Sequence, residues 1–185
     1  MAVVQVSGRF GGALSVTFPD HASRQVGSVA EFMETNLTFG GMVKRHGTGV
    51  DEAAFHYVDL NPGGGTPFQV VISDDTPSAG FWRPEWSFQN GALTTQTITC
   101  AGVAQDTDWH HIAITYAIGG DVKYYFDGEL VSTTGATLLN RTPAMSANSW
   151  IRLSTGDFYF DEWAVDNRIL TATQIANWFS RGFNL

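Results

Sequence analysis

Two adjacent histidines, His110 and His111, stand in the run Trp109-His110-His111-Ile112-Ala113-Ile114-Thr115-Tyr116. Imidazole nitrogens are common metal ligands and general bases, so the pair invites a metal-site reading. Its spacing argues against one. The run alternates, with Ile112, Ile114 and Tyr116 on one side and Trp109, His111, Ala113 and Thr115 on the other. That period of two marks a strand, where neighbours lie on opposite faces and cannot easily close on one ion. Zinc is rejected on this ground. His110 shares the face of Ile112 and is expected to be a hydrogen-bonded core histidine.

A second group is acidic: Asp157, Asp161 and Glu162 in Asp157-Phe158-Tyr159-Phe160-Asp161-Glu162. Glycoside hydrolysis needs two carboxyl groups about 5–5.5 Å apart for retention or about 6.5–9.5 Å apart for inversion. Asp157 and Asp161 share a strand face but are separated by roughly 13 Å at the strand rise, and Glu162 falls on the other face. Asp161 and Glu162 are instead expected to bond loop backbone and Arg168. No catalytic residue is assigned.

Calcium would need several oxygen ligands. The candidate clusters are Asp74 with Asp75, and Asp106 with Asp108, though neither forms a recognisable calcium loop. The lone Cys100 permits no intrachain disulfide, and no basic residue near it in sequence lowers its pKa, so an inert buried thiol is expected. The segment Ser73–Gly91 mixes Phe81, Trp82, Arg83, Glu85, Trp86 and Asn90 with two prolines and two glycines. It reads as a long, shaped loop with a short strand. Aromatic faces stack on sugar rings while polar groups bond hydroxyls, so these six residues are the ligand-binding candidates. The same mix suits a protein interface, and at least one of the aromatics is expected in the core.

The elements that must position these groups are strands. Eleven are expected: Val3–Val6, Ala13–Phe18, Leu37–Lys44, Ala53–Leu60, Phe68–Ile72, Thr94–Thr99, Trp109–Tyr116, Val122–Phe126, Glu129–Thr133, Trp150–Leu153 and Phe158–Val165. Asp127-Gly128 suits a tight hairpin turn. Short strands with frequent turns favour a two-sheet sandwich, and 20 glycines with 13% aromatics fit that class. One helix is expected near the C-terminus. Thr171 and Gln174 match a capping box, and Ile175, Trp178 and Phe179 share an apolar stripe that would pack on the sandwich.

The formal charge is −8 over 185 residues. An acidic chain argues against nucleic acid or anionic membrane as the main partner. No apolar run is long enough to span a bilayer, and the first residues lack the pattern of a secretory signal. The chain is expected to be made in a cytoplasm and, if it acts outside, to leave by another route.

Two blocks carry a family resemblance. Trp109–Tyr116 followed by Tyr125-Phe126-Asp127-Gly128-Glu129-Leu130-Val131 is one. Phe160-Asp161-Glu162-Trp163-Ala164-Val165 with Asn167-Arg168-Ile169-Leu170-Thr171 and the short helix is the other. Together they resemble the concanavalin A-like, laminin G-type jelly-roll domains. The resemblance implies a single domain over residues 1–185: an all-β jelly-roll sandwich of two antiparallel sheets, one convex and one concave, with one short C-terminal helix. The glucanase pattern Glu-x-Asp-x-x-Glu is absent. Calcium is implied as a cofactor through relatives that bind it at a loop rim. The implied function is a non-catalytic structural and recognition module, plausibly on a phage virion surface as a decoration, head-fibre or tail protein. Its partners would be other virion or surface proteins, or glycans, and it could form a homo-oligomer. The alternatives are a free-standing carbohydrate-binding lectin-like protein and, behind it, a polysaccharide hydrolase or lyase.

Overall fold

The computed structural model describes residues 3–7, 12–16, 21–25, 36–45, 53–59, 68–73, 81–89, 95–99, 103–104, 106–117, 120–135, 149–154, 158–166 and 168–182. Among them are fourteen strands and one helix. The strands are β1 (Val3–Ser7), β2 (Gly12–Val16), β3 (His21–Gln25), β4 (Leu37–Arg45), β5 (Ala53–Asp59), β6 (Phe68–Ser73), β7 (Phe81–Gln89), β8 (Thr95–Thr99), β9 (Val103–Ala104), β10 (His110–Tyr116), β11 (Asp121–Phe126), β12 (Glu129–Gly135), β13 (Ser149–Ser154) and β14 (Phe158–Asp166). The helix, α1, spans Ala172–Arg181.

All pairings are antiparallel. One sheet runs β1-β2-β14-β4-β10-β11-β12, and the other β3-β13-β5-β6-β7-β8, with β9 on β7. Consecutive strands β13 and β14 belong to different sheets, and each inserts between strands from the first third of the chain. This is the jelly-roll sandwich expected from the sequence. Two strands were not expected, β3 and β9, and β7 is longer than the short strand expected within Ser73–Gly91.

The first sheet has two apolar faces. On one, Ile112, Ile114 and Tyr116 of β10 align with Phe126, Tyr124 and Val122 of β11, and Ile114 aligns with Phe39 of β4. All of these are buried. On the other, Ala113 and Tyr125 form a buried cluster with Leu170, Ile175 and Trp178, so α1 covers the outside of this sheet. His111 is fully buried there, its ring edge-on to Trp178 with centroids 4.8 Å apart.

Two details of β4 hold this arrangement together. Opposite Gly41, β14 carries a bulge between Asp161 and Ala164, with Glu162 at φ 53°. The Trp163 ring lies over Gly41, where an added Cβ would come within 2.5 Å of it, and the Trp163 indole N–H donates to the Met42 carbonyl at 2.9 Å. Thr38 is the second detail. Its hydroxyl donates to the Arg168 carbonyl at 2.7 Å and accepts from the Leu170 N–H at 3.0 Å. That clamp delivers the chain to Thr171, where the expected capping box forms: the Gln174 N–H donates to the Thr171 hydroxyl, and the Thr171 N–H donates to the Gln174 side chain.

Candidate functional site

The six ligand-binding candidates belong to or adjoin β7. The segment read as a long loop with a short strand is a nine-residue strand, Phe81–Gln89, paired with β6 and with β8 and β9. Pro84, which argued for a loop, sits where the outer pairing is interrupted: β8 pairs up to Glu85, β9 pairs Trp82 and Phe81, and Pro84 falls between. A residue without an N–H is tolerated at such a break. Alternation then divides the candidates. Trp82 and Trp86 share one face of β7, and Phe81, Arg83 and Glu85 share the other. Asn90, like Asp74 and Asp75, lies outside the described residues.

The register shows what those faces are. The row through Trp86 reads Ala22, Leu153, Phe55, Val70, Trp86 and Ile98 across six strands. It is wholly apolar, the composition that sequence alternation gives to the inward face of a two-layer sandwich. The row through Ser87 reads Ser23, Arg152, His56, Gln69, Ser87 and Thr97, and every member is polar. Glu85 aligns with Thr99 on this polar face, and Arg83 with Ser73. Trp150, aligned with Gln25 and Val58, brings one large aromatic residue to it. At about 4.8 Å per strand the polar row spans roughly 24 Å, long enough for an extended ligand. Arg152, Trp150, His56 and Gln69 were not singled out in the sequence. Their signal was present in Ser149-Trp150-Ile151-Arg152-Leu153-Ser154, where Ile151 and Leu153 alternate with Trp150, Arg152 and Ser154.

The histidine pair has a different role. Asp127 and Gly128 adopt φ 49° and 82°, which makes the tight β11–β12 turn expected there. The Asp127 carboxylate then folds back on β10. It accepts the His111 N–H at 2.8 Å and bonds His110 Nδ1 at 2.8 Å, while the Asp127 N–H donates to the His111 carbonyl at 2.9 Å. His110 Nε2 lies 2.7 Å from Asp106, whose same oxygen accepts the Asp108 N–H at 2.8 Å. The His110 ring stacks on Phe126 with centroids 4.6 Å apart. His110 is therefore hydrogen-bonded, as expected, but at the edge of the core, between two carboxylates.

Burial alone would push the His110 pKa down. The bonds to Asp127 and Asp106, and their charges, outweigh it and raise the pKa above the ordinary value. Burial likewise opposes the Asp106 shift, but the Asp108 N–H and His110 together hold this carboxyl below its usual range. Asp106 Oδ1 thus serves two partners, the Asp108 N–H and the His110 ring, and ties the turn before β10 to that strand. Among the described residues, no three acidic, histidine or cysteine side chains gather as a metal group.

The closing strand also departs from expectation. Arg168 pairs with Asp166 rather than with Asp161 or Glu162: its guanidinium donates to both Asp166 oxygens, at 2.8 and 2.5 Å. Asp161 is buried in β14 opposite Met42, and Glu162 occupies the bulge. Asp157 lies outside the described residues.

A family model described as the concanavalin A-like lectin/glucanases superfamily matches residues 10–176. No curated protein matches the chain. Solved structures share the fold at low identity. The botulinum neurotoxin serotype G binding domain superposes with a TM-score of 0.66 at 16% identity, covering 96% of this chain and 44% of that one. The binding domain of botulinum neurotoxin DC is similar both in complex with rat synaptotagmin II, at TM-score 0.63, 13% identity and 95% and 41% coverage, and in complex with SialylT, at 0.67, 12%, 96% and 44%. The chain spans less than half the length of these neighbours.

Proposed function

As a member of the concanavalin A-like lectin/glucanase superfamily, this chain, we propose, is a non-catalytic recognition module that binds glycan on the polar face of its second sheet. The observation that carries the proposal is the six-strand polar row from Ser23 to Thr97, backed by an apolar row one residue away. A sheet needs one apolar face to fold, and an outer face could be filled with almost any polar mixture. This one combines hydroxyl and amide residues with His56, Arg152 and a single tryptophan, the mixture that hydrogen-bonds sugar hydroxyls and stacks on a sugar ring. Of the candidates read from the sequence, Phe81, Arg83 and Glu85 alternate onto this face of β7, and Trp82 and Trp86 onto the opposite one.

The neighbours are consistent with a recognition role, since they are binding domains and one was solved with SialylT. A protein receptor is the competing partner class, because another was solved with synaptotagmin II. A virion setting draws no support from them and forms no part of the proposal. The test is an array of neutral and acidic glycans, with calorimetry on hits in the presence and absence of calcium. We expect binding that does not need calcium and that falls when His56 and Gln69 are both replaced by Ala. Absence of glycan binding in either condition, or binding untouched by those replacements, refutes the proposal.

A further inference from the structure

We infer that the outer face of the first sheet carries a protein-docking site, formed by Trp109, Lys44 and Tyr159, that receives a carboxylate on an acidic segment of a partner protein. The site lies on the other sheet from the proposed glycan face and stands independently of it.

Three neighbouring strands build the site. β4 runs between β14 and β10. Tyr159 of β14 aligns with Lys44 of β4. His110 of β10 aligns with Val43, which brings Trp109, one residue earlier, level with Lys44 from the other side. Residues aligned across strands share a face. Trp109 alternates onto the face of His111, whose ring meets Trp178 of α1. The three side chains therefore stand on the outer surface beside the helix, and each is half-buried. β14 and β10 are two strand spacings apart, about 10 Å. The Trp109 and Tyr159 ring centroids are only 6.3 Å apart, at an interplanar angle of 50°. The rings thus lean toward each other across β4, and Lys44 rises from the strand between them.

Lys44 is the unusual member. The chain carries 18 acidic residues against 10 basic ones, so a lysine would ordinarily find a carboxylate. The nearby carboxylates are engaged elsewhere. Asp106 and Asp127 bond His110, and Asp161, two residues from Tyr159, is buried opposite Met42. Among the described residues no carboxylate pairs with Lys44. A half-buried ammonium is screened less than an exposed one, so an arriving carboxylate is held more strongly there. The flanking rings are the residue types that anchor protein interfaces, where lysine is otherwise depleted. A lysine between two such anchors calls for the opposite charge on the partner. A sugar would need several hydrogen-bonding groups around its ring, and this row offers an ammonium and a phenol.

The test screens a random peptide library against the intact chain and measures the selected peptides by calorimetry. We expect peptides that carry Asp or Glu, that weaken by about fivefold or more against Lys44→Gln, and that weaken similarly when their own acid is replaced by its amide. The unsubstituted protein gives a readout independent of that variant's folding: the affinity falls as salt is raised, and the Trp109 indole N–H resonance moves as the peptide is added. Selection of no Lys44-dependent peptide, or of peptides indifferent to their own carboxylate, overturns the inference. Self-association of the chain that Lys44→Gln abolishes overturns it in favour of a second copy as the occupant. All of these outcomes leave the glycan proposal untouched, since failure of that proposal is read on the second sheet.

Discussion

Replacing Asp127 probes the hairpin at the point where one carboxylate does three things. It occupies a left-handed backbone position at φ 49°, accepts the N–H of the fully buried His111, and bonds His110. Asp127→Ala loses all three. The buried N–H left without this acceptor costs about 1–3 kcal/mol. The His110 bond is partly solvent-screened, with Asp127 33% exposed, and is discounted to about 0.5–1 kcal/mol. The left-handed position adds roughly 1 kcal/mol for alanine. The loss is therefore about 2.5–5 kcal/mol, or about 5–20 °C in Tm for a domain of this size. Asp127→Asn keeps the turn and one oxygen acceptor for His111, and removes only the charge facing His110; it should lose about 0.5–1 kcal/mol. Because the pKa of His110 is raised in the folded protein, its contribution is complete below the unfolded value of 6.5 and disappears as pH rises through the higher folded value. Denaturant melts of wild type and Asp127→Asn should thus differ most at about pH 5.5 and converge by about pH 9. Equal losses in the Ala and Asn variants, or a gap that widens with pH, would refute the reasoning.

Three further outcomes follow from the first sheet and its helix. Thr38→Val removes the acceptor of the Leu170 N–H and the donor to the Arg168 carbonyl, and should lower stability by about 1–3 kcal/mol in denaturant melts. Thr171→Ala removes the hydroxyl that accepts the Gln174 N–H and leaves the backbone arm to the Gln174 side chain in place. It should cost about 1 kcal/mol, with faster amide exchange confined to the first turn of α1. Gly41→Ala places a methyl against Trp163 and should destabilise by about 1–3 kcal/mol or more. In a Trp163→Ala background the same change should be milder without becoming neutral, because the Trp163 Cα also lies within 2.8 Å of that methyl.

The family-defining blocks were legible because their chemistry is local. Alternation from Trp109 to Tyr116 places strand residues directly, Asp127-Gly128 specifies its own turn, and Thr171 with Gln174 caps the helix they precede. Arg168 was misassigned because Asp166, two residues away, can turn back on it more readily than a carboxylate across the strand. Phe81–Gln89 was read as part of a long loop with only a short strand because proline, arginine and glutamate are poor strand residues taken alone. What makes them a strand is non-local: β6 on one side, and a gap between β8 and β9 at Pro84 on the other. The polar face was illegible for the same reason. Arg152, His56 and Gln69 lie far apart in sequence, and only the register brings them into one row.

The claim that recognition belongs to the second sheet is tested most directly by mapping a bound glycan from the array with amide chemical-shift perturbation on the isotopically labelled protein. The account predicts shifts concentrated in β3, β13, β5, β6, β7 and β8, greatest around Arg152 and His56, with α1 and the β11–β12 turn unmoved. Shifts centred instead on α1, on Asp106–His110 or on the β11–β12 turn would contradict it.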